Sequence, residues 1–304
     1  MFLRPPQGLK ECLEVESATI AFMPRILVLA TLPHRRPKLH RIDRINGRFS
    51  LRMEAPRSVG LPYGSYPRLV LAYLTTETLR TKSPEIHLGQ TPNDFIRSLG
   101  LTPISGPRGT SQRLQEQLRR LRFTRLTWQT SVGLHPNSSG EGFLASDRPS
   151  WLGLARQCLS KRRVWTPRIL LGQEVFKEIT RSAVPVDLRA IHQLKGSPFA
   201  IDLYVWLTYR MSYLRKPTVI PWEGIQEQFG SGYARPRDFR RKALAHLAKV
   251  LRVYPKLRLG QSDTGLILYP SPPHVQRRLQ RSPELSSPQA ADSVGPRSVP
   301  TASC

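Results

Sequence analysis

Cations are the side chains of this sequence best equipped to act on a partner, and they cluster at helical spacing. The densest stretch is Arg235-Pro-Arg-Asp-Phe-Arg-Arg-Lys-Ala-Leu-Ala-His-Leu-Ala-Lys-Val-Leu-Arg-Val253. Stepping about 100° per residue from Phe239 puts Ala243, Leu247, Val250 and Leu251 on its side of a helix. Arg241, Lys242, Ala245, Ala248 and Lys249 fall opposite, with Arg237 and Arg240 on the flank. Long cations reach phosphates and guanine edges, and alanines let a helix backbone come close to a groove wall. A second, shorter face sets Gln112, Gln115, Glu116, Arg119 and Arg120 against Leu114, Leu118 and Leu121. The expected DNA contacts are therefore Gln112, Gln115, Arg119, Arg120, Arg237, Arg240, Arg241, Lys242 and Lys249. A merely solvated helix face is the plainer alternative, and the neighbouring elements argue against it.

Other chemistries find less support. A DNA-nicking site needs a His-x-His metal pair and a tyrosine, yet His34, His40, His87, His135, His192, His246 and His274 stand apart. No Gly-x-x-x-x-Gly-Lys loop is present for a nucleotide triphosphate, and no Asp-x-Asp for a two-metal centre. The expectation is a binding protein with no catalytic residues, no metal and no cofactor. Trp165, Trp206 and Trp222 could stack on melted bases. Core packing suits Trp206 better, and a hydrophobic staple at a helix start suits Trp222.

Composition points the same way. Lys and Arg total 47 against 21 Asp and Glu, a net charge of +26. Folding needs no such excess, so a polyanionic partner is implied; nucleic acid leads, and an anionic membrane surface is the weaker candidate. The scattered Cys12, Cys158 and Cys304 fit neither a disulfide framework nor a zinc site, and imply a reducing cytoplasm. The apolar run from Ile20 to Leu32, interrupted by Pro24 and Arg25, is too short to span a bilayer and reads as a buried strand or strands.

The elements that must hold the cationic faces repeat. Around the later face, a helix from Pro198 to about Arg215, with Leu203, Trp206, Leu207 and Tyr213 as core, precedes a strand at Thr218–Ile220. A short helix then ends at Gly230, the basic helix follows, and two strands flank the turn from Gln261 to Gly265. Around the earlier face, a helix from Leu69 to about Lys82, a strand at Glu85–Leu88 and a helix capped by Thr91 and Pro92 come first, then the helix opened by Gly109 and a strand from Phe123 to Trp128. Pro84 aligns with Pro217 at an offset of 133, and Gly100 with Gly230 at 130. The fold class expected is α+β, two tandem winged-helix domains. Their bounds are an irregular N-terminus 1–17, a first domain 18–150, a second domain 151–275 and a disordered Ser/Pro/Arg tail 276–304. His34–Arg41 reads as a basic surface loop, Asn46-Gly47 as a hairpin turn, and Gln173–Ile179 as either a strand pair or an amphipathic turn.

Several stretches also resemble a known family. Gly60-Leu-Pro-Tyr-Gly-Ser with the following Pro67–Glu77, Asp238-Phe-Arg-Arg-Lys-Ala-Leu, Val253-Tyr-Pro255 and Pro270-Ser-Pro-Pro-His274 resemble the RepA-type plasmid replication initiators, over roughly Ser58 to Val275. The resemblance implies a bacterial cytoplasmic protein that binds repeated double-stranded sites at a plasmid origin. It implies help in opening the duplex for host replication proteins such as the host initiator and helicase. It also implies binding of origin repeats as monomers and dimerisation to repress its own promoter, and so copy-number control. A winged-helix transcriptional regulator is the alternative on the same scaffold; an origin nickase or primase is the alternative of another class.

Overall fold

The computed structural model describes residues 2–3, 19–130, 139–143, 168–229 and 235–275. The boundary expected at residue 150, the basic segment Lys161–Arg163, Trp165 and the tail 276–304 lie outside these residues. The fold is mixed α/β, and every strand pairing is antiparallel.

Two short strands begin the described chain, β1 (Phe2–Leu3) and β2 (Ile20–Met23), followed by α1 (Arg25–Leu29). Both correct the sequence reading. Phe2 and Leu3 are not irregular but pair with Gly260 and Leu259. The apolar run is not all strand, because Pro24 ends β2 and, with its fixed φ, sets the entry into one buried turn of helix. Next come β3 (Arg41–Asn46) and β4 (Phe49–Glu54). They form a hairpin whose central residues are Gly47 and Arg48, with Gly47 at φ 57°.

From here one order of elements occurs twice. The first set is α2 (Ser65–Thr81), β5 (Glu85–His87), α3 (Pro92–Ser98), α4 (Thr110–Arg122), β6 (Arg125–Thr130) and β7 (Ser139–Phe143). A connecting unit follows: β8 (Arg168–Leu170), α5 (Gln173–Ser182), β9 (Val184–Asp187) and α6 (Leu188–Gln193). Gln173–Ile179 is thus helical, with Val175 and Ile179 buried one turn apart. The second set is α7 (Pro198–Met211), β10 (Thr218–Pro221), α8 (Trp222–Phe229), α9 (Pro236–Val253), β11 (Arg258–Gln261) and β12 (Gly265–Tyr269). Local chemistry explains the starts. Thr91 and Asp94 make a reciprocal capping box on α3, and the Ser197 hydroxyl accepts from the Ala200 N–H at the head of α7. Tyr213, expected in the core, lies beyond the end of α7 and is 38% exposed.

The sheets do not repeat. In the second set β10 pairs with β12, giving the order β1-β11-β12-β10. In the first set β5 pairs with β8 instead, while β6 and β7 extend the early hairpin to β3-β4-β6-β7. Contacts also reach across the chain: β2 pairs with β9 of the connecting unit, and α8 of the second set packs against β3. One continuous cluster of buried apolar residues accordingly runs from Ala21 to Leu268.

A polar joint is sealed into this core. The Arg68 guanidinium, 1% exposed, donates from Nε to Asp202 Oδ1 at 2.7 Å and from Nη2 to Oδ2 at 2.5 Å. It also donates to the carbonyls of Leu32 and Gly64. His34 Nε2 meets Asp202 Oδ2 at 2.8 Å, so His34 anchors its segment rather than standing in a surface loop. Burial works against ionising Asp202, but the facing Arg68 charge and the hydrogen bonds outweigh it and hold the carboxyl below its usual range. Among the described residues no helix is long and apolar enough to cross a membrane.

Candidate nucleic-acid interface

α9 carries the longer cationic face. Pro236 occupies its first turn, where a missing N–H costs nothing, and Asp238 suits the helix N-terminus. Phe239, Ala243, Leu247, Val250 and Leu251 are buried, as the periodicity predicts. Arg237, Arg241, Lys242, Ala245, Ala248 and Lys249 are exposed. The Arg241 side chain is 74% exposed and lies 3.1 Å from Asp238 Oδ1, a weak surface pair that a phosphate can displace. Arg252 is exposed on the same face. It was legible in the sequence, because the 100° step places it between Arg241 and Ala245.

Arg240 behaves differently. Its guanidinium lies over the Trp222 ring at 5.5 Å and donates to the Ser262 carbonyl at 3.1 Å. It ties α9 to α8 and to the β11–β12 turn, so it sets the angle of the helix more than it reaches outward. His246, on the inner flank, bonds to Ser197 Oγ through Nδ1 at 2.8 Å. Burial, together with Lys249, His34 and Lys242, pushes its pKa down to about 4.

α4 is shorter and partly covered. Gln112 and Arg113 are exposed; Gln115 and Arg119 are half-buried. Arg119 pairs with Glu116 at 3.3 Å. Arg120 departs from the sequence expectation: it is 4% exposed and does not project outward. Its Nε donates to Glu116 Oε1 at 2.8 Å and its Nη1 to the Leu61 carbonyl at 3.0 Å, with the Tyr63 ring at 5.3 Å. The loop Gly60–Tyr63 folds over this side of the helix. Gly60 has φ 75°, and a Cβ there would lie 2.6 Å from Arg120 Nη1, so the close approach needs glycine. Gln117 is buried by the same loop and accepts the Tyr63 N–H at 2.9 Å. Periodicity alone could not foresee a loop from a distant part of the chain closing on the polar side of α4. Arg113, which the sequence reading did not select, is exposed beside Gln112. Among the described residues no three His, Cys, Asp or Glu side chains gather as metal ligands.

The family described as plasmid-encoded RepA protein matches residues 61–223, from the Gly60–Tyr63 loop to the start of α8. The crystal structure of domains 2 and 3 of RctB, as a selenomethionine derivative, is similar at a TM-score of 0.45 and 13% identity, covering 81% of this chain and 98% of that one. A second crystal structure of RctB domains 2–3 gives 0.44 and 14%, covering 80% and 94%. No curated protein sequence matches the chain. With more than half of its length matched, the chain belongs to the family of plasmid-encoded RepA proteins, which are replication initiators.

Proposed function

We propose that this protein initiates plasmid replication by binding repeated duplex sites at its origin through two winged-helix modules. α9 and α4 lie toward the DNA, and the protein has no catalysis of its own. One observation carries the reading above all: α9 sets all its cations but Arg240, with two alanines, on the exposed face and packs its apolar face against the core. A helix so arranged can enter a major groove, with the alanines against the groove wall and the guanidiniums of Arg237, Arg241 and Arg252 meeting bases or phosphates. The net charge of +26 supplies the long-range attraction. The repeated order of elements supports two such modules on one duplex, and the β11–β12 turn serves as the wing of the second. Family membership supports the origin as the target. It also supports host replication proteins, including a helicase, as partners, a homodimer for self-repression and the bacterial cytoplasm as the site of action.

The test is a footprint on the cognate plasmid origin at two salt concentrations, paired with replication of that plasmid with and without the protein. Protected repeats and lost replication are expected. Protection with unimpaired replication would make the protein a transcriptional regulator instead. Nicked product after prolonged incubation with supercoiled origin DNA and magnesium would make it an enzyme.

A further inference from the structure

A cleft of about 770 Å³ opens between the head of α2, the covered side of α4 and the turn after α6. Arg36, Arg113, Arg120 and Lys195 line it against one carboxylate, Glu116. Lys195 is held in place by the Gly100 carbonyl at 2.8 Å.

Several hydrogen-bond donors in this cleft lack acceptors. Gln117, 4% exposed, spends its Oε1 on the Tyr63 N–H, and its amide Nε2 has no hydrogen-bond partner among the described residues. Arg120, equally buried, uses Nε and Nη1 on Glu116 and Leu61, which leaves Nη2. The N-cap of α2 is Gly64, at φ 79°, which offers no side chain to the helix. The N–H groups of Ser65 and Tyr66 therefore have no intrahelical acceptor, and Pro67 has no N–H to add. The Ser65 hydroxyl likewise makes no hydrogen bond among the described residues. These donors open onto the cleft, and a cationic surround at a helix N-terminus favours an anion with several acceptor oxygens.

We propose that this cleft binds a phosphate ester. The Ser65 and Tyr66 amides, Ser65 Oγ, Gln117 Nε2 and Arg120 Nη2 are its donors. The volume exceeds what a lone phosphate needs, and the rings of Tyr63 and Tyr66 line the remainder, so the ester is that of a nucleotide. Two sources offer that chemistry. One is a free mononucleotide. The other is a backbone phosphate of DNA lying along α4, whose Gln112 and Arg113 also line the cleft. Only the second source rests on the proposed function.

Gln117→Glu keeps the acceptor for Tyr63 N–H and replaces the free amide with a carboxylate. Ser65→Glu brings a carboxylate to the head of α2, where it suits the helix dipole. Ser111→Glu adds the same charge to α4 away from the cleft lining and serves as the control. The full-length proteins are titrated calorimetrically with AMP and inorganic phosphate, and with origin duplex over a salt series; circular dichroism checks their folding. AMP binding that both cleft variants abolish and Ser111→Glu retains assigns a free nucleotide. With no AMP binding, a log–log salt slope lowered by about 0.9 in the cleft variants beyond the control assigns a DNA phosphate. The proposal is overturned if AMP and phosphate fail to bind and the cleft variants share the control's slope, or if AMP binds all variants alike. Should Gln117→Glu not fold, Ser65→Glu decides. A wild-type protein that ignores the duplex defeats the proposed function and leaves the AMP result to decide this site.

Discussion

The two sets of elements put a polar helix in the same serial position and treat it differently. α9 keeps its cations in solvent and leans on Trp222 and the β11–β12 turn through Arg240. α4 gives up Arg120 and Gln117 to the Gly60–Tyr63 loop and pairs Arg119 with Glu116. The strand before each helix pair differs in the same sense. Ile86 in β5, which pairs with β8, is 1% exposed, while Val219 in β10 is 48% exposed. One chain order can therefore be built two ways: the later set keeps its cationic helix in solvent, and the earlier set is built into the rest of the molecule.

The contrast can be broken at several points, and the largest effect is expected where the sets join. Asp202→Ala strands the buried Arg68 charge and should cost about 3–5 kcal/mol of stability, read from denaturant unfolding. Replacing both residues with leucine should cost less than Asp202→Ala alone. Ile86→Ala should cost about 2–4 kcal/mol, whereas Val219→Ala should stay within about 0.5 kcal/mol; equal losses would show that the two strands do not differ in burial. On origin DNA, Arg241→Ala should lose about 1–3 kcal/mol at one base position if it reads a base. If it holds a phosphate, the salt slope should instead fall by about 0.9. Arg119→Ala, already half-buried, should lose less, and a larger loss from Arg119 would reverse the ranking of the two helices.

A further effect is one of pH. Burial lowers the pKa of His246, on the inner flank of α9, to about 4, and also lowers those of His34 and His274. The unfolded chain takes up these protons near the ordinary histidine pKa of about 6.5, ahead of the folded one. Stability is therefore fully present above about pH 6.5 and declines as the pH falls towards 4. Melting temperatures across that range should show the decline, and His246→Gln should flatten it.

Much of this was legible in the sequence. The α9 faces, the Thr91 cap, the serial order of elements and the β11–β12 turn follow from local periodicity and local caps, which need no distant partner. What escaped depends on chain brought from far away. Arg120 read as outward because nothing nearby in sequence announces the loop that covers it. His34 read as surface because its carboxylate partner lies on α7. The strand before Pro24 read as continuing because apolar content alone does not separate strand from a buried helical turn.

The pairing of β2 with β9 joins residues 20–23 to residues 184–187. A nascent chain emerging from the ribosome must hold that first strand in reserve until most of the protein has been made. Such separation slows productive collapse, and an isolated first set would carry unmatched strand edges prone to aggregation. Fragments cut between the sets should therefore be poor folders, and complementation should require both pieces to be produced together.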